Sequence, residues 1–482
     1  MDYWRFFKLN LNDNPAPATP LGASFERQRA ALAASGNLDL DARRAALAKL
    51  DRVLRDNADA FCAAVDRDFQ GRACEETQLL ELFPSYGAIR HARRHVRQWM
   101  RPQRRATNFW FLPGRSRLVF QPLGVVGIVV PWNYPIYLAV GPVVAALAAG
   151  NRVMVKMSEA APATGELFAR VVAAELDPAI LSIVNGGPAV AQEFVALPFD
   201  HLLFTGSTAV GRQVMRAAAE NLTPVTLELG GKSPALVGRG IDAGEAADKI
   251  VFGKCLNAGQ TCIAPDYALV PEESVDAFAA AARATVARLY PRLADNADYT
   301  AIVNGRHRAR LCGYLDDARA QGARVEAINP AGEDFTGSPK IAPHLVTGVK
   351  DSMRVMQEEI FGPILPIVAY RTLEEAIAYV NARPRPLALY VFDHDRAAIA
   401  RVLAQTISGG VTVNETLLHI AQDELPFGGV GASGMGEYHG RAGFETFSKR
   451  KAVFYQSRFN ALKLLRPPYG ARFERLVKLL TR

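Results

Sequence analysis

VVGIVVPWNYPIYLAVGPVVAALAAGNRVMVK, residues 125–156, compresses a strand, a helix and a second strand into one stretch. Val125 to Val130 is a short unbroken run of β-branched and small apolar residues, the mark of a strand buried on both faces. An Ala-rich segment at 138–149 has helical length, and Arg152 to Lys156 returns to a strand. Parallel neighbours need such a crossover, so the stretch predicts a parallel sheet flanked by helices.

Working outward, the alternation continues with a helix at Ala163 to Ala174, strands at Leu181 to Val184 and His201 to Thr205, and a helix at Val210 to Ala219. A second series begins near Thr226 and runs through Ile250-Val251, Ala268 to Val270, a helix at 275–289, Val355, Ile364 to Val368, a helix at 373–380, Leu387 to Phe392 and Gly410 to Val413. No long linker or internal repeat separates the series. The expected fold class is therefore α/β, with two doubly wound parallel-sheet domains packed across a cleft. Ahead of them, residues 13–20 read as a loose Pro/Ala-rich leader, and Phe25 to about Trp99 as three or so helices. Phe109-Trp110-Phe111 and Leu118-Val119-Phe120, on either side of Pro113-Gly114, predict a small hairpin.

The length of 482 residues fits two or three domains, and a hydrophobic fraction of 49% is ample for their cores. The formal charge of +8 is spread along the chain, apart from basic clusters at His91 to Arg105 and in the last twenty residues. Without zinc-finger spacing or interleaved aromatics these read as solvated helix faces, and no nucleic-acid partner is expected. Five cysteines, at 62, 74, 255, 262 and 312, form no short-spaced framework and point to a reducing compartment. No CxxC or HExxH pattern occurs, so no metal is expected. The start, MDYWR, lacks the regions of a signal peptide, and the weakly apolar run Ile136 to Gly150 is broken by Pro142 and too short to span a bilayer. A cytoplasmic location is the expectation.

Chemistry concentrates at Asn257-Ala258-Gly259-Gln260-Thr261-Cys262, which sets one thiol among small, polar, turn-prone neighbours. A free thiol has a pKa of about 8.5 and needs local activation. Leu227-Glu228-Leu229-Gly230-Gly231-Lys232 supplies a carboxylate between leucines, suited to a general base. In Pro131-Trp132-Asn133-Tyr134-Pro135, two prolines fix the backbone around an amide that could stabilise an oxyanion, or merely form a rigid turn. Phe204 to Gly211 (FTGSTAVG) fits a phosphate-binding turn or a plain capped one. Lys156 and Glu159, at a strand's C-terminal end, could meet ribose hydroxyls or be a surface pair. In the loop Glu358 to Pro363, Glu359 could bind a sugar hydroxyl and Phe361 a flat ring, or both could serve a turn. Cys62 and Cys255 read as small buried hydrophobes. Alone, Cys262 with Glu228 leaves a hydrolase, a transferase and a redox enzyme open.

Taken together and in order, PWNYP, KMSE, FTGSTAVG, LELGGKSP, NAGQTC, EEIFGP and PFGGVG resemble the aldehyde dehydrogenase superfamily, from about residue 25 to 456. CIAPDY (262–267) and GMGEYHG (434–440) look most like its class 3 and coniferyl aldehyde dehydrogenase branch. The resemblance implies oxidation of an aldehyde to its acid, with Cys262 as nucleophile, Asn133 and the Cys262 N–H on the oxyanion, and Glu228 activating water. It implies NAD, or NADP, held by Trp132, Lys156, Glu159, Gly206, Ser207, Gly211, Leu229, Glu359 and Phe361. The implied layout is a Rossmann-like cofactor domain (1–103, 123–225, with 426–445 returning to it), a catalytic domain (226–425), and an oligomerisation arm (104–122 with 446–457). A homodimer is implied. Met157 replaces the proline of many relatives. The basic amphipathic tail, 458–482, places Phe473, Leu476, Val477 and Leu480 on one helical face, suited to docking on its own dimer or, less readily, to a membrane surface. Tyr134, Tyr137 and Phe427 suit an aromatic or hydrophobic substrate. A fatty or medium-chain aldehyde is the alternative, followed by acyl transfer to coenzyme A and by a retired enzyme used for binding.

Overall fold

The computed structural model describes residues 19–460 and 466–480, so all of the expected leader but Thr19 and Pro20 lies outside the described residues. Two mainly parallel sheets carry the molecule. In the six-stranded sheet the order is Gly434–Met435, Val225–Leu229, His201–Gly206, Val125–Val129, Arg152–Lys156 and Leu181–Val184, all parallel except the short first strand. The chain starts at Val125–Val129, winds outward through Arg152–Lys156 and Leu181–Val184, then crosses to the other side at His201–Gly206. Val125–Val129 and His201–Gly206 are thus neighbours whose onward connections run in opposite directions. The crevice at their C-terminal ends is where open α/β sheets bind ligands, and the loops that open there are Pro131-Trp132-Asn133 and Gly206-Ser207.

The seven-stranded sheet runs Arg324–Ala327, His344–Thr347, Ile364–Tyr370, Tyr267–Pro271, Pro234–Val237, Ala388–Phe392 and Gly410–Val413. Only its first pair is antiparallel. The change of sheet falls after Leu229 and not at Thr226, because Val225–Leu229 pairs with His201–Gly206 in a register that sets Glu228 beside Thr205. Glu228 is therefore carried by the first sheet and the Cys262 loop by the second. Ile250-Val251 and Val355 lie in helices Ala243–Cys255 and Arg354–Gln357.

Before the first sheet come helices Pro20–Ser35, Leu40–Asp56, Ala58–Phe69, Cys74–Thr77 and Phe83–Trp99, the last two joined by a π-helical turn, Gln78–Leu82. The hairpin is real but differently built. Phe109–Phe111 is a 3-10 turn capped by the Asn108 side chain, which accepts from the Trp110 N–H, and its rings face outward. The strands are Gln103–Arg105 and Arg115–Pro122, and Ser448–Tyr455 pairs with the latter along its whole length.

Asn151 ties these pieces together. Its fully buried side chain accepts from the N–H groups of Leu123 (2.7 Å) and Gly124 (2.9 Å) and donates to the carbonyls of Ala146 (3.1 Å) and Phe447 (2.9 Å). One amide thus joins the root of the arm, a helix end and the start of the first strand. Asn151→Ala leaves these partners unsatisfied and is expected to cost about 3 kcal/mol, read as a lower urea midpoint at unchanged slope; a loss below about 0.5 kcal/mol would refute that role.

Candidate active site

Two cavities meet at Cys262. One, of about 320 Å³, opens at the crevice of the first sheet and is lined by Trp132, Asn133, Thr205, Gly206, Ser207, Glu228, Leu229, Glu359 and Phe361. The other, of about 340 Å³, has an almost wholly apolar wall that includes Leu79, Phe83, Tyr134, Tyr137, Phe252, Leu417 and Ile420. Cys262 lines both. A thiol at the junction of a polar cleft and an apolar tunnel can hold a substrate from one side against a partner bound on the other.

The turn that presents the thiol is strained and firmly held. Asn257 (φ 51°), Ala258 (φ 49°) and Gly259 (φ 74°) are consecutive left-handed residues, a conformation disfavoured for the first two. Gly259 is also required sterically, since a Cβ there would lie 2.4 Å from the Gly362 carbonyl oxygen. Gln260 ties the turn down by donating to the carbonyls of Asn257 (3.0 Å) and Ala301 (2.9 Å) and accepting from the Val303 N–H (3.0 Å). Asn133 Nδ2 donates to the Gln260 carbonyl (3.1 Å), which fixes the amide plane and leaves its second N–H for another acceptor.

A buried charged group supports both loops from behind. Arg72 Nη1 donates to Glu81 Oε1 (3.0 Å) and to the Asn133 carbonyl (3.1 Å). Glu81 Oε2 accepts from the N–H groups of Ile136 (2.7 Å) and Tyr137 (3.2 Å), capping helix Tyr137–Ala149. Glu76 accepts from the Asn257 N–H (3.0 Å) and the Thr300 hydroxyl (2.6 Å).

Burial dominates the electrostatics. It pushes the Glu228 carboxyl up to about 8; Cys262 and Thr205 pull it back, but neither carboxylate oxygen has a well-aligned hydrogen bond. Burial likewise raises Glu359 to about 8, with Asp266 and Glu228 adding to the rise. The Cys262 thiol is pushed well above its ordinary value by burial and then by Glu228 and Glu359, opposed by its own backbone N–H. Burial thus favours the protonated form of all three groups, and basic chemistry by Glu228 becomes available as pH rises.

Of the residues singled out in the sequence, Cys262, Glu228, Asn133, Trp132, Gly206, Ser207, Leu229, Glu359 and Phe361 share the polar cavity. Ser207 also caps helix Thr208–Ala219. Lys156, Glu159 and Gly211 lie off its wall. Lys156 Nζ donates to the carbonyls of Met157 (2.6 Å) and Gly186 (2.7 Å). Gly211 serves packing, since a Cβ there would lie 2.6 Å from Leu229 Cδ2. Phe427 is buried against His419, Tyr438 and His439 and does not line the tunnel. Tyr134 and Tyr137 do, and the Tyr134 hydroxyl bonds that of Thr261 (2.6 Å). Sequence reading missed Arg72, Glu76 and Glu81, as well as His307, whose ring lies 5.0 Å from Trp132; Arg72 sits in the short link ahead of helix Cys74–Thr77, the others are single residues in helical stretches, and none has a local signature. No metal was expected, yet among the described residues one grouping has suitable donors: atoms of the half-buried His91 and His95 and the exposed Glu424 lie within 4.8 Å of one another.

The sequence model of the aldehyde dehydrogenase family matches residues 18–453. A Pseudomonas aeruginosa protein named "Probable coniferyl aldehyde dehydrogenase" is 53% identical over 98% of both chains. Among solved structures, the substrate-bound state of Staphylococcus aureus AldH superposes with a TM-score of 0.90 at 36% identity, covering 96% of this chain and 100% of that one. A Mycobacterium tuberculosis aldehyde dehydrogenase complexed with NAD+ gives a TM-score of 0.83 at 30% identity over 92% of each chain.

The raised Cys262 thiol makes a test of the pair. Alkylation of Cys262 by iodoacetamide is expected to be slow at neutral pH and to accelerate only at pH values above the ordinary thiol pKa of about 8.5. Glu228→Gln removes a like charge, so it lowers the thiol pKa and speeds alkylation in the alkaline range. Slower alkylation in that variant would mean that Glu228 instead activates the thiol.

Proposed function

The chain belongs to the aldehyde dehydrogenase family, and on that premise we propose that it oxidises an aromatic, coniferyl aldehyde-like substrate to its acid with NAD. The observation that carries the reading is Cys262 at the junction of the two cavities. The apolar tunnel, with Phe83, Tyr134, Tyr137 and Phe252 in its wall, suits a flat ring whose aldehyde reaches the sulfur. The P. aeruginosa relative's name points to the same substrate class.

The polar cavity fits a dinucleotide. Ser207 caps a helix whose N-terminus opens on the crevice, where pyrophosphate is favoured. Among the described residues Glu359 Oε1 is buried without a partner, ready for a ribose hydroxyl. When bound there, NAD supplies the hydride acceptor. With its proton released to solvent, Cys262 Sγ attacks the aldehyde carbon, and the Asn133 amide with the Cys262 N–H stabilises the resulting oxyanion. Loss of hydride from that carbon leaves a thioester on Cys262. Glu228, on the neighbouring strand, then takes a proton from water as the water attacks, releasing the acid and restoring the thiol. A base aimed at water favours free acid over transfer to coenzyme A.

The chain is further read as a cytoplasmic homodimer joined through the three-stranded arm, whose exposed Phe109, Trp110, Phe454 and Tyr455 offer an apolar surface. Among the described residues no helix is long and apolar enough to cross a membrane. In the tail, helix Ala471–Leu480 half-buries Phe473, Leu476 and Val477. Trp110→Asp combined with Phe454→Asp is expected to yield monomers by light scattering; an unchanged mass would reject the arm as the interface.

Cys262→Ala should abolish oxidation. Glu228→Gln should still give one equivalent of reduced cofactor rapidly and then turn over about a thousandfold more slowly. Wild-type acid release should rise with pH and level off above about 8, in keeping with the raised Glu228 carboxyl; without a burst in the variant, Glu228 would not be the hydrolytic base.

A further inference from the structure

We propose that Glu415 selects aldehydes whose aromatic ring carries a hydroxyl opposite the side chain, by accepting a hydrogen bond from that phenol. The inference rests on the reading of the apolar tunnel as the aldehyde's path. Among the described residues Glu415 is the one carboxylate lining the tunnel, which is otherwise built of hydrocarbon, aromatic rings, a few hydroxyls and the Cys262 thiol. Of those hydroxyls, Tyr134 and Thr261 already bond each other.

The carboxylate is held in place. It follows strand Gly410–Val413, between Asn414 (φ 56°) and Leu417 (φ 65°), two non-glycine residues in the left-handed region within four positions. Such strain persists only where surrounding contacts over-determine it, and here they do. The Asn414 side chain accepts from the Asp393 N–H and donates to the Asp393 carbonyl (2.8 Å each), while its backbone N–H donates to Val391 (2.8 Å). Thr416 packs so closely on helix Ala243–Cys255 that a Cβ on Gly253 would lie 2.2 Å from its hydroxyl. Glu415 Oε1 accepts from the Thr416 N–H (2.8 Å), which orients the carboxylate. Among the described residues Oε2 has no hydrogen bond, so a lone pair is left for a ligand.

A half-buried carboxylate in a hydrocarbon wall prefers a substrate that brings a donor. A phenol is a strong one, and its bond to a carboxylate is charge-assisted. An alkyl tail, or a ring without the hydroxyl, would desolvate Oε2 and offer nothing in return, so the same group both attracts one class and penalises another.

The test compares kcat/KM for coniferyl aldehyde, methoxycinnamaldehyde lacking the hydroxyl, and nonanal, in the wild type, Glu415→Gln and Glu415→Leu. Wild type should prefer the hydroxylated ring by about tenfold or more over its deoxy analogue. Glu415→Leu should erase that preference and raise the rate with nonanal, while Glu415→Gln, which retains an acceptor, should keep part of it. An unchanged preference in Glu415→Leu, or an equal fall for all three substrates, overturns the assignment and leaves Glu415 as a loop support. Should wild type oxidise nonanal and neither cinnamaldehyde, the aromatic-substrate reading itself falls, and this assignment with it.

Discussion

One buried guanidinium supports the two loops that bring Asn133 and Cys262 together. Arg72 has no exposed side-chain surface, and it sits against Glu81, near Glu76, and over the rings of Phe69 and Tyr134 at 5.1 and 4.9 Å. Burying such a charge is costly unless its partners are well placed. Burial also pushes the Glu81 carboxyl up, while Arg72 and the two capped N–H groups pull it back. The cluster buys position: through it the N-terminal helices hold the Asn133 loop of one sheet and the Asn257 turn of the other. The π-helical turn Gln78–Leu82 couples this to the tunnel, since Glu81 points inward to Arg72 while Leu79 and Leu80 line the tunnel wall. A regular α-helix would rotate successive side chains differently, and π-turns of this kind are often found at functional sites.

That support lets the site keep groups in unfavourable states. Glu228, Glu359 and the Cys262 thiol lie in one cavity, each raised by burial and the sulfur raised further by the two acids. Two carboxylates and a thiolate could not all be ionised there at neutral pH without mutual repulsion. A resting state with the protons on keeps the thiol and Glu228 from charging together. It also puts Glu228 near the pH range where a carboxyl can both take and return a proton, as the proposed reaction requires.

Much of this was legible in the sequence because it depends on local pattern. The run 125–156 yields its strands and helix from apolar periodicity, and the glycines of LELGGK and FTGSTAVG mark turns that close packing demands. What escaped was set by tertiary contacts. Phe109–Phe111 has the composition of a strand, but Asn108 caps it into a turn and its rings stay outside. Thr226 opens a plausible new series, yet its strand pairs back to His201–Gly206. Gly211 looks like part of a phosphate turn and is spent on Leu229, while Phe427 looks like a substrate contact and is core. Arg72 has no signature at all, because an arginine that organises two loops looks locally like any other in a helical region rich in arginine.

The two loops that bring Cys262 and Glu415 to the apolar cavity share a device. Asn257 and Ala258 ahead of Cys262, and Asn414 and Leu417 around Glu415, are non-glycine residues with left-handed backbone. Glycine would relieve that strain at each position, but it would also free the chain to sample other conformations. In both loops an asparagine engages a distant main chain: Asn257 donates to the Asn133 carbonyl, and Asn414 pairs with Asp393. An asparagine tolerates the left-handed region better than most residues and can bond the backbone that would otherwise be left unpaired. The same residue type thus lowers the cost of the turn and locks it to the neighbouring strand or loop. Cys262 and Glu415, both in the wall of the apolar cavity, thus each follow a turn whose backbone is locked by an asparagine, and side chains held on rigid turns keep their positions better than side chains on free loops.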